Sequence, residues 1–442
     1  MAETYDLLLK NGIVVNHDGV GERHIGVRDG KIVNIDAPAN GAAGAVIDCS
    51  GLHVLPGVID SQVHFREPGA EHKEDLETGS RAAVLGGVTA VFEMPNTSPL
   101  TTSAAAIEDK LARAYHRMWC DHGFYMGATH DNAKDMAELE RQRGVCGIKI
   151  FMGASTGDLL IADDAGVREV MRHGRRRIAI HSEDEDMLRA NAGLAREGDW
   201  SSHPDVRSAE AALKCTERLL RLARETGRQV HVLHISTAEE VPLLAANKDI
   251  ATAEITPQHL TLEAPEIYHR LKGLAQMNPP LRDRHHMDGL WQGLASGVFD
   301  VCGSDHAPHS REEKAKPYPA SPSGMPGVQT IVPVMLTHVQ EGRLSLERFV
   351  DLFCHGPNRI FQIAGKGRMA VGYDADFTII DMKKIRTIRD EDMASKCGWT
   401  PFDGFTAKAW PKGTIIRGQR VMWEDELVGS AIGEPVRFQE IM

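Results

Sequence analysis

No C-x-x-C pair occurs in this chain, and its seven cysteines, at 49, 120, 146, 215, 302, 354 and 397, are scattered and odd in number. That speaks against a disulfide framework and a cysteine-held metal, and it fits reduced thiols in a cytoplasmic protein. No run of about 18 apolar residues appears, and the opening "MAETYDLLLKNG" has no basic segment leading into an apolar one. Neither a membrane span nor an export leader is expected. Positive charge is scarce in blocks: the longest is "RHGRRR" at 172–177, read as a solvated helix end, in a chain of net charge -12. Nucleic acid and membranes are therefore poor partners, and a small-molecule substrate is the expectation. The absence of G-x-G-x-x-G after the first strand removes the doubly wound nucleotide-binding alternative.

What is present falls into three textures along 442 residues. Residues 1–54 read as short strands broken by turns at Asn11-Gly12 and Asp29-Gly30. From 55 to 364, eight short apolar runs alternate with helix-like segments: "HVLPGVID", "VTAVFEM", "GFYMGAT", "GIKIFM", "RIAIHS", "QVHVLHIS", "ATAEIT" and "FDVCGSD". Eight strand–helix alternations make a (β/α)8 barrel of the TIM type. Hairpin texture returns over 365–442, so the expected α/β architecture is a barrel with a small β-sandwich formed by both termini.

In such a barrel the chemistry comes from the C-terminal ends of the strands. The first strand ends in "VIDSQVHFREPG", offering Gln62, His64 and Arg66; the fourth carries Lys149, the fifth ends at His181, the sixth at His234 and the eighth at Asp305. One histidine at a strand end is usually a hydrogen-bonded structural residue, but a ring of imidazole and carboxylate suits zinc or a similar ion. Lys149 lies between Ile148 and Ile150, where barrel interiors are normally aliphatic. Either it snorkels outward, or it is a desolvated, neutral amine able to capture carbon dioxide as a carbamate that bridges two metals. His231 stands three positions before His234 and so points to the opposite face, which leaves only one of them in the site. His17, His24, His72, His116, His122 and His203 fall in loops or polar segments and are expected in solvent.

Together "HFREPG", "MPNTSP", "KIFMG", "HSED", "HVLHIST", "MNPPLR" and "SDHAPH" resemble the dihydroorotases of the cyclic amidohydrolase group, in family order and over nearly the whole chain. The resemblance implies reversible cyclisation of N-carbamoyl-L-aspartate to L-dihydroorotate through a metal-bound hydroxide, a step of pyrimidine biosynthesis. It implies two zinc ions, one on His64 and Asp305, the other on His181 and His234, with carboxylated Lys149 between them and Asp305 as the catalytic base and acid. Some relatives use an aspartate bridge; the candidates here, Asp158, Asp163 and Asp164, follow the strand in a loop, which favours Lys149. The same resemblance places Arg66, Asn96 and His309 around the substrate carboxylate and Asn278 near the ring amides. "SGMPGVQT" at 323–330 would offer backbone groups to the ring or form a lid. A homo-oligomer, dimer or tetramer, is expected, and association with aspartate carbamoyltransferase is a further expectation.

Arg66 is the discriminating residue, because a guanidinium fork suits a carboxylate and a neutral ring needs none. The competing readings are a hydantoinase, dihydropyrimidinase or allantoinase, and a non-catalytic scaffold for aspartate carbamoyltransferase. One departure stands out. The family frame Asp-x-His-x-His reads Asp60, Gln62, His64 here, so a ligand histidine is a glutamine. Four donors per ion remain if the carbamate and the hydroxide are counted, which implies one tight and one labile metal. Gln62 would then touch the metal weakly or hydrogen-bond to a ligand from behind.

Overall fold

The computed structural model describes residues 4–155 and 159–439. Eight parallel strands form one sheet in sequential order: β1 (Val58–Val63), β2 (Val88–Glu93), β3 (Asp121–Gly127), β4 (Val145–Phe151), β5 (Ile178–His181), β6 (Val230–Val232), β7 (Ala251–Ile255) and β8 (Val301–Cys302). Every residue of these strands is buried, as a sheet covered on both faces requires. The ring nearly closes through Val63, which bridges to His306, and through the His64 N–H, which donates to the His306 carbonyl at 2.7 Å. Helices follow the strands. The longest, Ala209–Thr226, is capped by the Ser208 hydroxyl on the Ala211 N–H and ended by Gly227 at φ 69°, and its buried stripe of Ala212, Cys215, Leu219 and Leu222 packs inward at helical spacing. Inside the barrel, Ile59, Phe92, Tyr125, Cys146 and Leu233 pack with Phe361 below the site.

A second, nine-stranded sheet is assembled from both ends of the chain, with Thr4–Asn16, Gly19–Arg28, Lys31–Asn34, Ala42–Asp48 and His53–Pro56 from one and Phe377–Asp381, Trp410–Ile416, Gln419–Trp423 and Glu426–Leu427 from the other. Two local expectations change. The first apolar run, "HVLPGVID", is two strands in two sheets. It divides at Gly57, whose N–H donates to the Asp376 carbonyl at 2.8 Å and where an added Cβ would stand 2.3 Å from Thr89 Oγ1. Asn11-Gly12 is a bulge inside one strand, with Asn11 at φ 58° and a Gly12 Cβ position only 2.7 Å from Val54, so close packing rather than chain reversal explains the glycine. Asp29-Gly30, at φ 51° and 71°, is the expected hairpin turn.

The two sheets are tied at the N-terminal end of the barrel by a buried ionic cluster. Lys366 Nζ lies 2.6 Å from Asp121, 3.1 Å from Asp374 and 2.6 Å from Asp376, and Arg417 Nη1 holds both Asp121 oxygens at 2.5 and 2.6 Å. The last described segment runs along the same end. Gly433 N–H donates to Met118 O at 2.9 Å, His122 N–H to Glu434 O at 3.0 Å and Val436 N–H to His122 O at 2.8 Å. Among the described residues no helix is long and apolar enough to cross a membrane.

Candidate active site

At the opposite, C-terminal end of the strands lies a narrow polar cavity. Nine of the residues singled out in the sequence wall it: Gln62, His64, Arg66, Asn96, Lys149, His181, His234, Asn278 and Asp305. His309 stands behind Arg66 instead. Phe151, Ser155, Ala307, Ser323 and Gly324 complete the wall and were not foreseen as individual site residues, although Ser323 and Gly324 belong to the loop suspected of covering the ring. Three of the polar residues, Arg66, His234 and Asp305, hold left-handed backbone at φ 64°, 37° and 45°. Such conformations strain a non-glycine residue by about 1–3 kcal/mol each, and here they aim the side chains into the cavity just past the strand ends.

On one side, Asp305 Oδ1 accepts from Gln62 Nε2 at 2.8 Å and lies 3.2 Å from His64 Nε2, while His64 Nδ1 is 2.8 Å from Asn96 Oδ1. Gln62 thus holds Asp305 through its amide nitrogen, and its Oε1 is buried without a partner. On the other side, His181 Nδ1 and His234 Nε2 face each other at 3.1 Å. His181 Nε2 meets Glu183 Oε2 at 2.7 Å, and Arg207 clamps that carboxylate, with Nε 3.1 Å from each oxygen. Burial alone would raise the Glu183 carboxyl, but Arg207 and His181 hold it below its usual range. Glu183 therefore stays charged and keeps the His181 Nδ1 side turned to the cavity. Arg207 also donates to the Ala154 carbonyl at 2.8 Å, tying the loop that carries Ser155 to the same pair.

Lys149 lies between these two pairs of donors. In register it stands opposite Gly127 on β3 and Ala179 on β5, two small residues that leave room for its side chain. It does not snorkel: the residue is fully buried, Nζ has no hydrogen-bond partner, and burial pushes the ammonium down to about 7. Beneath it Glu254 accepts from Ser61 Oγ at 3.0 Å and from the His234 N–H at 3.3 Å, and burial raises its carboxyl to about 8. The donor set fits a divalent metal centre: two oriented pairs of first-row-metal ligands flank an unpartnered amine, and His234 Nδ1 and Gln62 Oε1 are also orphaned. Without a carboxylate on Lys149, each side has only a pair. Among the described residues, three histidine or acid donors lie within 4.8 Å of one another only at Glu239, His285 and His286. That group is a surface ion-pair cluster, with His285 Nε2 on Glu239 at 2.8 Å and His286 Nδ1 taken by the Ala238 N–H at 3.2 Å.

Arg66 is buried, with Nε donating to the Pro308 carbonyl at 3.1 Å. Neither Glu67 nor Asp75 neutralises it: Glu67 pairs with Arg117 at 2.8 Å and Asp75 with Lys396. Among the described residues no carboxylate forms an ion pair with Arg66. His309 Nδ1 accepts from Lys73 Nζ at 3.1 Å and its Nε2–H donates to the Ser323 carbonyl at 3.0 Å, so it is a neutral ring that holds the 323–324 loop and packs beside the guanidinium, 3.3 Å away. Lys314 Nζ donates to the Gln276, Pro322 and Gly324 carbonyls at 2.9, 2.8 and 2.7 Å, which pins that loop against the site. His122 and His203, expected in solvent, are buried; His203 Nε2 lies 3.0 Å from Asn278 Oδ1 and orients it. Asp163 caps a helix and Asp164 pairs with Arg221, away from the site, and Asp158 lies outside the described residues.

An eight-stranded parallel barrel with facing histidines and a buried lysine at its C-terminal mouth is the architecture of barrel hydrolases that open amide bonds. The amidohydrolase family model matches residues 53–421, and the chain belongs to that family. In sequence it is similar to the dihydroorotase of Halobacterium salinarum, 37% identical over 423 residues, which covers 92% of this chain and 97% of the relative. The dihydroorotase of Methanosarcina mazei is 36% identical, covering 97% and 96%. In shape it is similar to the L-hydantoinase (dihydropyrimidinase) from Arthrobacter aurescens, with a TM-score of 0.92 at 29% identity over 98% of this chain and 99% of the other.

Proposed function

We propose that the chain is a dihydroorotase, interconverting N-carbamoyl-L-aspartate and L-dihydroorotate. The observation that carries this reading is the buried Arg66 guanidinium on the cavity wall with no carboxylate of its own. A buried charge of that kind calls for a partner, and a substrate carboxylate supplies one in fork geometry. The similarity in shape to a hydantoinase supports a second reading, ring opening of a neutral cyclic amide. Assays of dihydroorotate beside dihydrouracil and hydantoin separate the two, and comparable turnover of a ring without a carboxylate rejects the first. Arg66→Ala is expected to lower kcat/KM for dihydroorotate by about 2–5 kcal/mol in transition-state terms, while leaving hydantoin kinetics flat.

His64 with Asp305, and His181 with His234, would hold zinc, with Lys149 as its carbamate between them. A divalent ion bound there supplies an acidified water and polarises the amide carbonyl. Asp305, held by the Gln62 amide, accepts the proton of the attacking water and returns it to the departing ring nitrogen. Asn278, oriented by His203, faces the ring amides, while Arg66 with His309 behind it fixes the carboxylate end. Cyclisation runs the same transfers backward and is favoured in acid, where the attacked carboxyl is protonated. Because position 62 is a glutamine, with its amide nitrogen on Asp305, the His64 side has one ring donor fewer. Gln62→His is expected to slow removal of the more weakly held equivalent by a chelator about tenfold, read as metal content against dialysis time.

A further inference from the structure

The N-terminal end of the barrel carries a second concave site, a broad solvent-open cleft on the far side from Lys149. The "RHGRRR" run does not simply end in solvent. Its Arg176 turns into this cleft, its Nη1 donating to Val145 O at 3.3 Å and its guanidinium 4.9 Å over the Phe438 ring. Arg141, Arg143 and Arg437 come to the same cleft from the loop before β4 and from the terminal segment. Arg141 and Arg143 are exposed, and among the described residues neither guanidinium has an ion-pair or hydrogen-bond partner.

The nearby carboxylates have partners of their own, Glu434, exposed at the rim, the most loosely. Glu140 is buried and accepts from the Arg175 and Arg176 N–H groups at 2.6 and 3.0 Å and from Arg228 at 3.1 Å. Glu434 leans toward Arg417 at 3.8 Å, and the Asp374 carboxylate, 3.5 Å from Arg437, already serves Lys31 and Lys366. In a chain of net charge -12, a concave surface with unspent positive charge is a local inversion of the protein's own field. Several guanidinium forks lining one cleft match the oxygens of a tetrahedral dianion better than a single carboxylate. Half-buried Phe438 and Pro435 supply an apolar flank beside them. A short concave patch, unlike a stripe, does not follow a nucleic-acid backbone.

We propose that this cleft binds a small organic anion carrying a phosphate group, with Arg141, Arg143 and Arg176 on the phosphate and the Phe438 side against the organic part. Isothermal titration of the metal-loaded protein with inorganic phosphate and with phenyl phosphate tests it. One equivalent of each is expected to bind, phenyl phosphate the more tightly. The double variant Arg141→Glu, Arg143→Glu, which changes only exposed side chains, is expected to weaken both by about tenfold or more with turnover unchanged. Because Arg66 is an anion site at the other end, Arg66→Ala is titrated in parallel and is expected to retain the binding. Loss in Arg66→Ala with retention in the double variant would place the anion at the active site and overturn the proposal, as would the absence of saturable heat. Equal affinity for the two probes would overturn the assignment of the apolar flank.

Discussion

Lys149→Ala is expected to abolish turnover and to release metal from the site while the chain stays folded. The side chain is fully buried between Ile148 and Ile150, lacks any hydrogen-bond partner and is held near neutrality by desolvation, with its amine pushed down to about 7. A neutral amine is the form that reacts with carbon dioxide, and a carbamate would give each flanking donor pair its third protein ligand. Alanine removes that ligand but introduces no new buried charge, so circular dichroism should be unchanged. Millimolar acetate or propionate, small enough to enter the space vacated by the lysine, is expected to restore part of the activity and of the metal content. Full turnover in Lys149→Ala without such rescue ends the carbamate assignment.

Lys366→Met is expected to lower the stability of the fold by about 3–5 kcal/mol, because it leaves Asp121, Asp374 and Asp376 buried together with their shared cation removed. Burial would raise the Asp121 and Asp374 carboxyls, yet the adjacent Lys366 holds both below their ordinary values. Their contribution is therefore present above the ordinary carboxylate range and is lost as pH falls through the lowered values. In the variant the same carboxyls rise, so the gap between the two proteins should narrow as pH is lowered towards about 4. Urea unfolding at several pH values measures both effects. A loss below about 1 kcal/mol near neutrality would show that Arg417 on Asp121 and Lys31 on Asp374 balance the cluster without Lys366.

The barrel was legible because each strand is a short apolar run followed by a helix-length segment, a pattern set by burial on both faces of a parallel sheet. Its first strand was misdivided because Gly57 changes sheets without interrupting the apolar run, and nothing in "HVLPGVID" marks a change of partner. The site was legible at Gln62, His64, Lys149, His181, His234 and Asp305, where polar residues interrupt strand ends. Strand alternation alone would have chosen differently at β6: His231 lies buried with Nδ1 2.9 Å from Thr252 Oγ1, and His234 reaches the cavity because the strand has ended and its φ is 37°. Glu183, Arg207 and Lys314 were not legible as supporting residues, since a charged residue outside the apolar runs reads as solvated until its partners from distant segments are known. The same holds for His122 and His203, which were placed in solvent by the polarity of their neighbours and are buried by tertiary packing.

The sheet shared by both ends of the chain sets a timetable for synthesis. Strands within the first 48 residues can pair with one another as soon as they emerge, but His53–Pro56 has Phe377–Asp381 as its antiparallel neighbour. The Val58 N–H likewise waits for Thr378 Oγ1, 320 positions later in the chain. While the ribosome makes the intervening barrel, that border strand is open and can be claimed by any extended segment, including the same strand of a neighbouring nascent chain. Closing the barrel and sealing this edge are therefore separate events, and slow translation between them lengthens the period in which the young protein is vulnerable to aggregation.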